Sequence, residues 1–180
     1  MQLSKFSMGI GDRFGCQGEA QLRALMEAGD IGIHVTPVWN KSEREHTIIG
    51  TFPESVRDEA DAAVKNLGWT GDYRVDADHI NEKIVERYLQ AADFFTLDVA
   101  EDIGGNDVTD AEVQDFLARH GNDLGILEAS GLGAVGPGEA AVIARTYLPA
   151  VKAAGRIYRR IAAAKGEENF IAEISMDETE

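Results

Sequence analysis

The chain has 180 residues and a mass of 19.5 kDa, which suits one ordinary domain with a substantial core. Its 17 Lys and Arg against 32 Asp and Glu leave a net charge of −15, which disfavours nucleic acid because phosphate backbones are repelled. A hydrophobic share of 44% excludes a disordered acidic tail, and the single Cys16 excludes an internal disulfide framework. Neither an apolar run of ~18 residues nor a secretory signal is visible, so we expect a soluble, cytoplasmic protein without a membrane partner.

Strand and helix patterns alternate along the chain. Short apolar or β-branched runs predict strands at residues 6–10, 31–38, 73–76, 94–99 and 170–174. Apolar residues three or four positions apart predict helices at 18–28, 81–91 and 139–165, the last interrupted or bent at Pro149. Two further helices are predicted from capping boxes, one from Thr51 and Glu54 to Gly68 and one from Thr109 and Glu112 to Gly121. The polar segment 40–47 is predicted to be a loop.

This alternation predicts an α/β fold with a parallel sheet, either doubly wound or part of a (β/α) barrel of TIM type. Polar residues recur where predicted strands end, at Asp12, Arg13, Asn40, Lys41, Asp78, His79, Asp98 and Glu173. Such residues meet at one mouth in a barrel, which favours the barrel. A complete barrel takes about 250 residues. We therefore expect residues 1–180 to form a single barrel domain with about five of the eight βα units, truncated on its C-terminal side.

The segment from Val75 to Ile80 is the most informative for chemistry. A carboxylate can act as a general base, and an imidazole can bind a metal, so Asp78 and His79 could divide these two tasks. In the alternative interpretation, Asp78 caps the next helix and His79 is a solvated loop residue. Both interpretations stay open on the pattern alone.

Three further segments offer candidate side chains. Glu173 lies among apolar residues, where a buried carboxylate is costly unless it is paired or functional; alternatively it faces solvent on an edge strand. Arg13, in a glycine-rich segment, could hold a substrate carboxylate or form a surface salt bridge. The run 131–136 matches a dinucleotide-binding fingerprint, but Pro137 follows directly, so a connecting segment is the better interpretation.

The same motifs resemble those of the tagaturonate/fructuronate epimerase family. The resemblance rests on Ser7 to Gly15, Val75 to Ile80, Phe95 to Asp98 and Glu173 to Thr179, which occur in the family's order. It implies a metal-dependent isomerase that interconverts two hexuronate ketoses in uronic acid catabolism. It further implies Asp78 as proton acceptor, His79 as a ligand of a divalent metal and Glu173 as proton donor. The family's remaining metal histidines come from later strands.

The inverted carbon of such a substrate is β to its ketone, which favours a retro-aldol route over simple proton abstraction. Arg13 or Lys41 would hold the carboxylate of the sugar acid. The further substrate-binding candidates are Asp12, Asn40 and Asp177. Two alternatives remain, a metal-dependent aldolase or sugar isomerase on the same barrel and an inactive fragment that lacks the later metal ligands. The sequence leaves the oligomeric state open, a homo-oligomer included.

Overall fold

The structure is a computed structural model that describes residues 1–123, 130–131, 133 and 135–177. The predicted glycine-rich connection at 131–136 lies partly outside these residues, and the tail from residue 178 lies wholly outside them. The chain forms two compact units. The first comprises Met1–Asp98 and Arg156–Ser175, and the second comprises Val99–Gly155 and the chain from Met176. The single domain expected from length stays a prediction.

The first unit is built on a five-stranded parallel sheet. Its strands are β1 (Ser7–Ile10), β2 (Thr36–Ser42), β3 (Arg74–Ile80), β4 (Phe94–Asp98) and β5 (Ile171–Ser175). The strands lie in chain order, and each pairs in parallel with the next. The predicted α/β class and parallel sheet are confirmed. A doubly wound sheet reverses its strand order at a switch point, and these five strands show no reversal.

Five helices accompany the strands within the described residues. They are α1 (Gly18–Asp30), α2 (Glu43–Ile49), α3 (Glu54–Leu67), α4 (Asp110–His120) and α5 (Pro137–Lys165). Helices α1 and α3 cover one face of the sheet through a buried cluster of Leu22, Trp39, Val56, Ala60, Ala63 and Val75. Helix α5 is continuous at Pro149, so it is not interrupted there, and the alternative of a bend stays a prediction. No helix in the described part of the chain combines the length and apolarity needed to cross a membrane.

The second strand was misplaced by the sequence pattern. Ile31 and Ile33 are exposed, by 77% and 55%, and β2 begins only at Thr36. The expected loop at 40–47 is wrong as well, since it contains the end of β2 and most of α2. Ser42 and Glu45 form a capping box at the start of α2. The polar end of β2 is a strand because its backbone pairs with β3, from Val38 opposite Arg74 to Ser42 opposite Asp78.

The structure also differs from the predicted helix at residues 81–91 and from the predicted capping box of Thr51 and Glu54. Residues 81–91 form consecutive tight turns around a short 3-10 helix at Val85–Arg87, although Val85 and Tyr88 are buried as expected. Helix α3 begins after Pro53, so Thr51 does not cap it. The Oγ1 atom of Thr51 instead lies 2.9 Å from Nδ1 of the buried His46. The capping box of Thr109 and Glu112 at α4 is confirmed.

Candidate active site at the carboxyl edge of the sheet

The face of the sheet opposite α1 and α3 carries a row of polar side chains. We call it the polar face and define it by Asn40 on β2, Asp76 on β3, Thr96 on β4 and Glu173 on β5. The strand register places Asn40 beside Asp76 and Thr96 beside Glu173. Parallel strands end at one edge, so the side chains that follow, including Asp78 and Asp98, lie towards the same edge.

A threonine hydroxyl joins two carboxyl groups at the centre of this face. Thr96 Oγ1 lies 3.0 Å from Asp76 Oδ2 and 2.8 Å from Glu173 Oε1. The backbone N–H of Thr96 also donates to Asp76 Oδ1 at 3.2 Å. Asp76 and Thr96 are buried, whereas Glu173 is exposed. The expectation that Glu173 is buried is therefore wrong, and its exposure matches the alternative of a solvent-facing strand residue.

This arrangement favours the protonated form of Asp76. Burial is the main cause that raises the pKa of Asp76 to about 7, and the negative charges of Asp78 and Glu173 raise it further. The two hydrogen bonds from Thr96 act in the opposite direction without overcoming burial. A carboxyl group that is half protonated near neutral pH is unusual outside functional sites. Asp76 therefore belongs to the candidate site.

His79 stands at an irregularity in β3. The pairing of β3 with β4 shifts register between Ala77 and Ile80, and His79 has a left-handed φ of 52°. A non-glycine residue in this region is strained, and such strain gathers where a bulge re-aims a side chain. The imidazole lies 3.5 Å from Asp98 Oδ2 through Nδ1 and 3.9 Å from Asp78 Oδ1 through Nε2. The bulge thus gathers Asp78, His79 and Asp98 at one edge.

Asp12 organises the loop between β1 and α1. Its carboxylate accepts hydrogen bonds from the backbone N–H groups of Phe14, Cys16 and Gln17 at 2.8–3.0 Å. Burial acts to raise the pKa of Asp12, but these donors and the charge of Lys41 outweigh it, so the pKa lies below its usual 3.8. Asp12 thus holds the loop, and its predicted contact with substrate stays a prediction.

The two basic candidates lie in different surroundings. The Arg13 guanidinium is about half exposed and pairs with Glu45 at 3.7 Å. Lys41 is buried with 3% exposure, and its Nζ approaches Gly15 beside Glu59 of α3. Because strand side chains alternate, Lys41 faces the helices, whereas its neighbour Asn40 lies on the polar face. Of the two, Arg13 is therefore better placed to reach a ligand.

Asp177 follows β5 by two residues and belongs to the second unit, so its predicted role is a prediction still. Sequence reasoning missed Asp76 and Thr96 as members of the site. A signal existed for Asp76, since it stands between Val75 and Ala77 in an apolar strand, where an unpaired carboxylate is costly. Thr96 offered none, because threonine is ordinary in strands.

The predicted metal site is not completed by these residues. An imidazole with carboxylates is a donor set that suits several divalent ions. Within residues 1–123, 130–131, 133 and 135–177, however, no three His, Cys, Asp or Glu side chains are placed to hold an ion. The role of His79 as a metal ligand stays a prediction.

Close backbone packing at the edge gives a test of this geometry. A Cβ on Gly11 would lie 2.2 Å from the Asn40 carbonyl oxygen, whereas a Cβ on Gly9 would meet only Asn40 Nδ2 at 3.6 Å. We expect Gly11→Ala to lower the free energy of unfolding by about 2 kcal/mol or more, because β1 must move away from β2. Gly9→Ala, two positions away, is the matched control and should change it little. Urea denaturation measures both free energies of unfolding, and equal effects of the two substitutions would contradict this packing of β1 against β2.

Together the fold and the site define an α/β protein with a carboxylate-rich cluster and one histidine at the carboxyl edge of a parallel sheet. This is the usual place for the active site of an enzyme built on parallel strands. The chain belongs to the UxaE family, described as tagaturonate epimerase, whose sequence pattern matches residues 1–124. No curated protein matches the chain.

Solved structures of a fructuronate-tagaturonate epimerase, UxaE from Cohnella laeviribosi, are similar to this chain. The native structure has 25% identity and a TM-score of 0.71, and covers 99% of this chain and 39% of its own. A glycerol-complexed structure has 24% identity and a TM-score of 0.71 with the same coverage. One with two glycerols has 24% identity and a TM-score of 0.69, covering 97% and 38%. The chain thus spans about two fifths of the length of these relatives.

Proposed function

We propose that this chain provides part of the active site of a hexuronate epimerase that interconverts tagaturonate and fructuronate in uronic acid catabolism. One observation carries the proposal: Asp78 and His79 on β3 and Glu173 on β5 belong to one parallel sheet, in which only β4 separates the two strands. Family membership supports the substrate class. Such a catabolic enzyme would act in the cytoplasm on a small sugar acid.

We also propose that the sheet is part of a TIM-type barrel. Five parallel strands in unbroken chain order match the way in which such barrels are built. The relatives of this chain are more than twice its length, which leaves room for the strands that close a barrel. In that arrangement the polar face would line the barrel interior.

The residues of the site suit a retro-aldol route. Asp78, as a carboxylate, accepts the proton of the hydroxyl on the carbon β to the ketone, and the bond between the α and β carbons breaks. The resulting aldehyde rotates and presents its other face, and the same carbon–carbon bond forms again. Glu173 then gives its proton to the new alkoxide oxygen. One turnover therefore leaves a proton on Asp78 and none on Glu173.

The route also needs positive charge near the oxygen atoms that become negative. A divalent cation, with His79 as one ligand, would supply that charge when it is bound. Since the described residues do not complete its site, the remaining ligands would be residues other than those described. Arg13 would hold the substrate carboxylate in preference to the buried Lys41, and Asp12, Asn40 and Asp177 would complete the substrate contacts.

Product analysis tests this function. The protein is incubated with tagaturonate or fructuronate and a panel of divalent ions, and the sugars are separated by chromatography. We expect interconversion of the two ketoses that requires one of the ions. Cleaved products would indicate an aldolase, and aldose products would indicate a sugar isomerase of the same class. Absence of turnover together with weak metal binding would indicate an inactive fragment.

A further inference from the structure

The Thr96 hydroxyl carries one proton but touches two carboxyl groups. Its distances to Asp76 Oδ2 and Glu173 Oε1, 3.0 and 2.8 Å, both lie within hydrogen-bonding range. A hydroxyl can donate to only one acceptor, although it has two lone pairs with which to accept. One of the two carboxyl groups must therefore carry a proton and donate it to Thr96, since otherwise two oxygen atoms would face each other without a hydrogen between them.

The surroundings identify Asp76 as the group that carries this proton. Asp76 is 6% exposed, whereas Glu173 is open to water, and burial disfavours the charged form. Among the described residues, the two charges with the largest influence on Asp76 are negative, Asp78 on its own strand and Glu173 two strands away. Once Glu173 has given its proton to the substrate, the chain of hydrogen bonds therefore runs from the protonated Asp76 to Thr96 and from Thr96 to the Glu173 carboxylate.

We infer that Asp76 is a positioning residue that shares a proton with Glu173 through the Thr96 hydroxyl and restores the proton that Glu173 gives to the substrate. The inference rests on the proposed function for the role of Glu173 and goes beyond it by adding Asp76 and Thr96. In the transfer, the Asp76 O–H bond breaks as a new Thr96 O–H bond forms. The original Thr96 O–H bond breaks as a Glu173 O–H bond forms. One proton moves and Thr96 is unchanged.

This relay addresses a requirement of the proposed mechanism. After each turnover Asp78 holds a proton and Glu173 has lost one, so the enzyme must be reset. Asp76 is the buried carboxyl group that interacts with both of them. It can protonate Glu173 at once through Thr96. The reset is complete when Asp78 releases its proton to water and Asp76 takes one up from water, so no net proton is gained or lost.

Carbon-13 NMR of the carboxyl groups in the full chain tests the proton sharing without requiring turnover. In the wild-type chain we expect the Glu173 carboxyl signal to move in two steps, the second at the pH near 7 where Asp76 ionises. Thr96→Val removes the hydroxyl at similar volume and should reduce the second step to the part that the through-space charge of Asp76 produces. Thr96→Ser keeps the hydroxyl and should retain it. A Glu173 titration that is identical in wild type and Thr96→Val would overturn the inference.

A second variant keeps the test decisive if Thr96→Val fails to fold. Asp76→Asn retains a donor to Thr96 but cannot ionise, so the second step in the Glu173 titration should disappear. Its persistence would overturn the inference. The function is judged separately by product analysis. A two-step Glu173 titration without turnover would support the shared proton and reject the epimerase function. Turnover with a single-step Glu173 titration would support the epimerase function and reject the shared proton.

Discussion

Asp76→Asn is expected to make the protein markedly more stable at pH 8, while changing its stability little at pH 4. The folded pKa of about 7, against 3.8 for the free side chain, means that ionisation of Asp76 opposes folding. At pH 8 the penalty reaches about 4 kcal/mol, from 1.36 kcal/mol for each pH unit of difference. Asparagine removes it, because its amide can donate to Thr96 Oγ1 while its oxygen accepts from the Thr96 N–H.

The pH dependence fixes the sign of this effect. Between about pH 4 and pH 7 the folded state holds a proton on Asp76 that the unfolded state has released. Stability from this group therefore falls as pH rises through that range and stays low above it. Urea denaturation of wild type and variant from pH 4 to pH 8 measures the difference. The prediction would be contradicted if the gain in the free energy of unfolding of the variant over the wild type were no larger at pH 8 than at pH 4.

Asp93→Asn is the matched control for this change. Asp93 lies directly before β4, and its two oxygens accept from the Val75 N–H at 2.8 Å and from Arg57 at 3.0 Å. Here donors surround the carboxylate, so its charge is stabilised and the substitution should lower stability by roughly 1–3 kcal/mol. Opposite signs for the same chemical change at pH 8 would show that the surroundings decide the effect.

Asp78→Asn is expected to lower the rate of ketose interconversion roughly 10³-fold, since general-base catalysis contributes about 10²–10⁴-fold. The amide cannot accept the hydroxyl proton with which the proposed reaction begins. The measurement is kcat for tagaturonate in the protein that shows turnover in the product analysis. Because only the proton-transfer step is affected, KM should change little.

The control for Asp78→Asn is Asp30→Asn, which makes the same change of charge at the exposed C-terminal end of α1. This position precedes β2, so it lies towards the opposite end of the strands from Asp78. Its kcat should match that of the wild type. Turnover that survives in Asp78→Asn would reject Asp78 as the base.

The Asp78→Asn variant should also lower the pH at which Asp76 ionises, because one of the negative charges that raise the pKa of Asp76 is lost.

The sequence was sufficient where a local pattern had a single physical solution. The apolar run at residues 94–99 predicts a strand, and these residues form β4 at Phe94–Asp98. A short run of consecutive apolar residues is typical of a parallel strand that is buried on both faces. The capping box at Thr109 and Glu112 was also correct, because both hydrogen bonds join residues within one turn. These features depend on near neighbours in the chain.

Prediction failed where a distant partner decided the outcome. The polar end of β2, with Asn40, Lys41 and Ser42, reads as a loop, yet β3 supplies its backbone hydrogen bonds. Residues 81–91 have the spacing of a helix but form tight turns between β3 and β4. In both segments tertiary pairing and the connection between strands prevailed over local preference.

By itself, the sequence determined the alternation of elements, the α/β class and the presence of Asp78, His79 and Glu173 near the ends of strands. Apolar periodicity and the polarity of strand ends are local properties that can be read along the chain. Only the tertiary structure decided that Asp76, Thr96 and Glu173 share one network and that a bulge turns His79 towards Asp98. The reason is that these contacts join residues 19, 20 and 77 positions apart, which meet through the register of three strands.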